Sequence, residues 1–326
     1  MKFLAGVDEA GLGPILGPLV VAGVAMTGPE GTDPWRVLTR HVARRSHTKG
    51  KVRVADSKLV HAGPHGLLRL EETALVFWTA RHGELPPTLA DWLEQLDADV
   101  GRLRRCPWYE RLDLPLPLLA SADWVQLQAE LVARALRKAD VALLDLAVRP
   151  VDVEEWNELI AETDNKSRAH FHAYAEVLGR LLDRLPAPDG EAAAPERNAG
   201  HLVADRCGGR MHYAADLRRL RPAATVETLS EAPHESSYAV REPQGTITVT
   251  FAERGEARAF PTALASCFAK YLRELMVEVL NRWFQARVPD LQATAGYYTD
   301  GHRFLGDVEP LLQRDALPRG RLVRVR

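Results

Sequence analysis

Residues 3–26 read FLAGVDEAGLGPILGPLVVAGVAM, and two apolar runs within this stretch decide the fold class. FLAGVD (3–8) and PLVVAGVAM (18–26) are rich in β-forming residues and scarcely alternate, the pattern of strands buried on both faces. The Gly/Pro-rich stretch between them makes a hairpin-like connection. Asp8 and Glu9 stand where the first run ends, directly ahead of Gly11-Leu12-Gly13. Adjacent strand residues point to opposite faces, so these carboxylates converge only if the strand ends there and the turn bends the chain. Glycines at such a turn also let backbone N–H groups approach a phosphate or a sugar. Taken alone, these residues fit an ordinary acidic turn equally well.

Outward from this pair, ALVFWTA (74–80), VALLDLAV (141–148) and HLVAD (201–205) read as further strands. SYAVREPQGTITVTF (237–251) reads as two strands around a Pro-Gln-Gly turn. Helical spacing marks residues 121–139 behind Ser121 as N-cap, 165–185, and a long helix over 259–287. Early strands followed by alternating helices and strands predict an α/β sheet with helices on both faces. Residues 28–50 and 100–120 look like surface insertions, and the Ala/Pro-rich stretch 186–200 like a linker. There is no internal repeat, and the chain ends in a basic tail, LPRGRLVRVR.

The length of 326 residues allows two domains, or one large domain with insertions. With 46% hydrophobic and 26% charged residues, a chain of this size buries a core without staples and is not disordered. Lys and Arg number 42 against 44 Asp and Glu, a net charge of -2. That balance excludes a protein that coats nucleic acid non-specifically, while leaving room for a local basic patch such as RHVARRSHTKGKVR (40–53). This stretch reads equally as a phosphate-backbone track or as a solvated face. Cys106, Cys207 and Cys267 form neither a disulfide framework nor a thiolate metal site. No apolar run approaches the ~18 residues of a membrane span, and the first residues lack a signal-peptide pattern. The expectation is a soluble cytoplasmic protein.

Three further places hold acids that could act with Asp8 and Glu9. Asp205 ends the run HLVAD, Glu256 precedes the long helix, and Asp56-Ser57-Lys58 opens a helix in VADSKLV. Each alone reads as a cap or a solvated charge; together they form a set. That set resembles ribonuclease HII, the type 2 ribonuclease H family. GVDEAGLGPILGPLV (6–20) is similar to the family's opening strand and DSKLV (56–60) to its second block. HLVAD, then Gly255-Glu256 ahead of ALASCFAKYLRE (263–274), and AGYYTDGH (295–302) follow in the family's order.

The resemblance implies one RNase H-like catalytic domain over 1–326, a mixed five-stranded sheet flanked by helices, with a helical C-terminal part from about 259. It implies that Asp8, Glu9, Asp205 and Glu256 hold two divalent cations, Mg²⁺ or Mn²⁺, oxygen ligands being what such hard ions prefer. The implied reaction is hydrolysis of RNA paired with DNA, or of ribonucleotides embedded in duplex DNA, leaving 5′-phosphate and 3′-hydroxyl ends. Gly11, Leu12, Gly13, Ser57, Lys58, Asn165 and Tyr297 become substrate contacts, and His302 a structural residue. The chain departs from the family pattern in carrying Leu12 for Arg, Glu256 for Asp and Arg206 for Gly. A non-catalytic nucleic-acid-binding protein of the same fold is the alternative. The sequence leaves oligomeric state open.

Overall fold

A computed structural model describes residues 1–46, 48–187 and 197–325. The two opening runs form β1 (Lys2–Ala10) and β2 (Leu19–Gly28), paired antiparallel with Asp8 opposite Ala22. A two-stranded parallel ribbon, β3 (Val42–Ala43) and β4 (Val52–Arg53), follows, then β5 (Ala142–Val151), β6 (Asn198–Asp205), β7 (Thr225–Ala232), β8 (Glu235–Glu242) and β9 (Gly245–Ala252). The main sheet runs β5-β2-β1-β6-β9-β8-β7. β6 lies parallel to both β1 and β9, and the other neighbours are antiparallel.

This is the expected mixed sheet flanked by helices, with seven strands in place of five. The surplus lies at one edge, where β7 pairs with β8. Only Val226 of β7 is buried, so this strand has no apolar face to announce it in the sequence. ALVFWTA (74–80) is likewise corrected: it lies inside the helix Gly66–His82. Nearly every residue from Leu70 to Thr79 is buried there, so the helix shows no polar stripe, and its apolar run mimics a central strand. The linker read over 186–200 falls largely on 188–196, outside the described residues; Asn198–Gly200 already belong to β6.

Two apolar layers sandwich the sheet, and β1 shows why. Phe3, Ala5 and Val7 face one core, with Tyr174, Val177 and Leu178 of the helix Lys166–Leu182. Leu4 faces the other, with Ala263, Leu264 and Phe268 of the helix Phe260–Gln285. Gly6 shares the face of Leu4, and a Cβ there would stand 2.1 Å from the Thr262 amide nitrogen. Glycine is therefore what lets that long helix lie against β1.

The 100–120 segment is fastened by a buried acid. Glu71, 0% exposed, accepts from the amides of Leu118 and Leu119 at 2.6 Å, from Ala120 N–H and from the Tyr271 hydroxyl. Glu71→Gln turns an NH₂ towards amides that need an acceptor. We expect a loss of about 2 kcal/mol, the scale of one hydrogen bond to a charged group, measured by chemical denaturation.

Candidate active site

β1 and β6 run parallel, paired as far as Val7 and Ala204. One residue further along, Asp8 and Asp205 stand side by side where the pairing stops. Asp8 points to the long-helix face and Glu9 to the opposite one, yet β1 continues to Ala10. The expected strand end at Asp8 is thus corrected. The carboxylates meet because the edge of β1 beyond Val7 is unpaired by β6, and both side chains reach around it. Carboxylate oxygens of Asp8, Glu9 and Asp205 all lie within 4.8 Å of one another. Glu256, on the short helix Gly255–Arg258 after β9, lines the same cavity of about 750 Å³ but stands outside that close trio. The Gly255 amide donates to Asp205 Oδ1 at 3.1 Å, tying the two acidic segments together.

Asp56 is a fifth acid in this cavity, and it also caps the helix Ser57–His61 by accepting from Lys58 N–H at 2.8 Å. That helix places Lys58, exposed, and Ser57, buried, on the cavity wall. The Ser266 hydroxyl donates to Ser57 Oγ at 2.9 Å, linking this wall to the long helix.

The electrostatics are those of crowded acids. Burial, then the charges of Glu9 and Asp205, hold Asp8 well above the usual carboxylate range. Burial, then the Asp205 charge, pushes Glu9 up to about 8, while the Tyr174 hydroxyl and Lys58 oppose the rise. Asp205 and Glu256 are raised too, mainly by burial. Tyr174 donates to Glu9 Oε2 at 3.1 Å. His170 Nε2 lies 3.7 Å from the same oxygen without a hydrogen bond, and burial pushes this imidazole down to about 3. It is therefore neutral, and no ion pair forms with Glu9. His170 and Tyr174 belong to the site although the sequence reading passed over them. Their one signal was i, i+4 spacing on the helix 165–185, which core aromatics share.

The remaining predicted contacts sit elsewhere. Gly11, Leu12, Gly13 and Tyr297 do not line the carboxylate cavity. They form a neighbouring patch past the end of β1. Gly11 has φ +93°, and a Cβ on it would meet Arg273 Nε at 2.5 Å. Gly296 accepts from Ile15 N–H at 2.8 Å, which brings the exposed Tyr297 beside this turn, with the Arg273 guanidinium 5.7 Å from its ring centre. Arg324 of the C-terminal tail donates to Gly11 O at 2.5 Å. Asn165 is not brought to either place: its amide oxygen caps the helix Lys166–Leu182, accepting from Ser167 and Arg168 N–H. His302 packs its ring against Tyr298.

With its acids neutralised only by protons, the site has a distinct pH response. In the metal-free protein Glu9 keeps its proton to about pH 8, whereas in the unfolded chain it is lost near 4.5. Between those values the folded state binds more protons, so this contribution to stability falls as the pH rises. The thermal midpoint in EDTA should therefore fall across that window. Glu9→Gln should flatten the fall, and Mn²⁺ should raise the midpoint more at pH 8 than at pH 6.

No protein-family model matches the sequence, and no curated protein matches it. Solved structures similar to it include a chain of the PCNA:RNase HII complex from Archaeoglobus fulgidus, at 18% identity and TM-score 0.43, covering 99% of this chain and 94% of that one. Bst-RNase HIII in complex with Mn²⁺ is similar at 13% identity and TM-score 0.41, over 99% of this chain and 66% of its own. Ribonuclease H2 from Pyrococcus horikoshii OT3 is similar at 14% identity and TM-score 0.39, over 98% and 92%. At TM-scores below 0.5 such likeness assigns no residue a role. Among the described residues, no helix is long and apolar enough to cross a membrane.

Proposed function

We propose that the chain is a divalent-metal-dependent endoribonuclease that hydrolyses the RNA strand of RNA/DNA hybrids, or ribonucleotides embedded in duplex DNA. The observation that carries this reading is the meeting of the Asp8, Glu9 and Asp205 oxygens, with Glu256 lining the same cavity. The donor set fits hard cations: it is all carboxylate, and the acids raise one another's pKa, a repulsion that bound cations relieve. Asp8, Glu9 and Asp205 would hold Mg²⁺ or Mn²⁺, with Glu256 completing a two-ion set. Two such ions supply activation of the attacking water and stabilisation of the leaving oxygen in an in-line displacement.

The chain's own residues do the rest. Tyr174 and the Gly255 amide fix the orientation of Glu9 and Asp205. Lys58, on the cavity wall, offers a point charge to a substrate phosphate, and Ser57 shapes that wall. The Gly11-Leu12-Gly13 backbone and Tyr297 form the patch that would read a 2′-hydroxyl, the group that separates RNA from DNA. Asn165, occupied as a helix cap, takes no part in this reading.

The test is incubation with end-labelled RNA/DNA hybrid, a DNA duplex carrying one ribonucleotide, and plain DNA duplex, with Mg²⁺ or Mn²⁺. Cleavage confined to the first two, giving 5′-phosphate and 3′-hydroxyl ends and stopped by EDTA, is expected. Tight binding with no cleavage would show a non-catalytic binding protein instead.

A further inference from the structure

Residues 36–69 carry nine Lys and Arg against a single acid, Asp56, within a chain whose net charge is -2. None of the nine forms an ion pair with a carboxylate among the described residues, although Arg and Lys elsewhere do so repeatedly. Their polar contacts are instead to uncharged backbone. Lys51 Nζ donates to Thr39 O at 2.6 Å, Arg53 to Leu59 O at 2.9 Å and Arg45 O at 3.1 Å, and Arg69 to Val60 O at 2.9 Å. A carbonyl fixes a cationic side chain in place without cancelling its charge, so these bases keep a positive field beside the acids of the cavity.

Its placement gives that field a purpose. The β3–β4 ribbon is anchored by buried Val42 and Val52, and Arg44 and Arg45, directly after β3, line the same space as the carboxylates. The Arg44 guanidinium lies 3.9 Å from the ring centre of Trp35, which is itself pinned by Nε1–H to Val54 O at 3.0 Å, and donates to Ala257 O at 2.5 Å, next to Glu256. Arg45 and Lys49 are both exposed.

We propose that Arg44, Arg45 and Lys49 form a strip that binds the phosphate backbone of a nucleic-acid duplex outside the scissile position. The strip rests on the proposed function for which duplex is cut, but its own chemistry is blind to sugar and sequence. It anchors DNA duplex and RNA/DNA hybrid alike, while the carboxylate cavity supplies the chemistry.

The experiment measures binding of a short RNA/DNA hybrid and of the matching DNA duplex in EDTA at several salt concentrations. Wild type is compared with Arg45→Gln/Lys49→Gln, which leaves the Arg44–Trp35 contact intact, and with the charge reversal Arg45→Glu. Each lost phosphate contact lowers the slope of log affinity against log salt by about 0.9, so the double variant should lose about 2 for both duplexes. Unchanged slopes in both variants, with circular dichroism showing them folded, overturn the proposal, as does a wild type that binds neither duplex. A wild type that binds both with a strip-dependent slope in EDTA, yet cuts neither once Mg²⁺ or Mn²⁺ replaces the EDTA, sinks the nuclease reading and leaves the strip standing.

Discussion

Asp8→Asn should abolish hybrid cleavage while leaving the protein folded. The Asn oxygen can still accept the Glu9 amide, as Asp8 Oδ1 does at 2.7 Å, so local backbone geometry survives. Losing a carboxylate at the centre of the trio would weaken the hold on the cations proposed to bind there. If that forfeits even about 4 kcal/mol of transition-state stabilisation, turnover falls about a thousandfold. Because burial and neighbouring charge already oppose ionisation of Asp8, the neutral amide should leave the metal-free protein at least as stable as wild type. Loss of activity together with a retained or raised thermal midpoint separates chemistry from folding. An active Asp8→Asn protein would place the reaction elsewhere.

Gly6→Ala is the second large effect, and it acts through packing. The added Cβ would stand 2.1 Å from Thr262 N, 2.4 Å from Thr262 Oγ1 and 2.6 Å from the Pro261 carbonyl carbon. Two of these are backbone atoms, which cannot swing aside as a flexible side chain would. The long helix must retreat from β1, at a cost of about 3 kcal/mol, the upper range for overpacking. Thr262 also donates to Val203 O at 2.7 Å, and Ser266, one turn along, shares the cavity with Asp8. A retreat of 1 Å is enough to lower turnover about a hundredfold. Urea denaturation and single-turnover cleavage should both register the change. A Gly6→Ala protein with wild-type stability would mean that the helix does not lean on β1 as described.

Much of this architecture was legible in the sequence because the relevant signals are local. β1 and β2 are continuous apolar runs joined by glycines and prolines, and Ser121 opens its helix as a capping residue does. The Asn165 side-chain oxygen turns out to cap its helix, a role the resemblance did not give it. What escaped was what tertiary context decides. ALVFWTA lies in the middle of a 17-residue helix, and burial on nearly all sides erased its period. β7 is legible only through its partner β8, being exposed along almost its whole length. The acids were found from their order along the chain. How they meet, around a strand edge that β6 leaves open, is a property of register, as is the approach of Tyr174 and His170 to Glu9. Glu256 was expected as an equal member of the set, and the structure puts it in the cavity but outside the tight trio. The placement of the basic segment needed the fold, since only the packing shows that Arg44 and Arg45 border the acids.

The most direct measurement is an anomalous difference map from crystals soaked in Mn²⁺. Two peaks are expected in the cavity, one among Asp8, Glu9 and Asp205 and a second within reach of Glu256. A cavity free of manganese at a concentration that supports cleavage, or ions bound only at other residues, would contradict it.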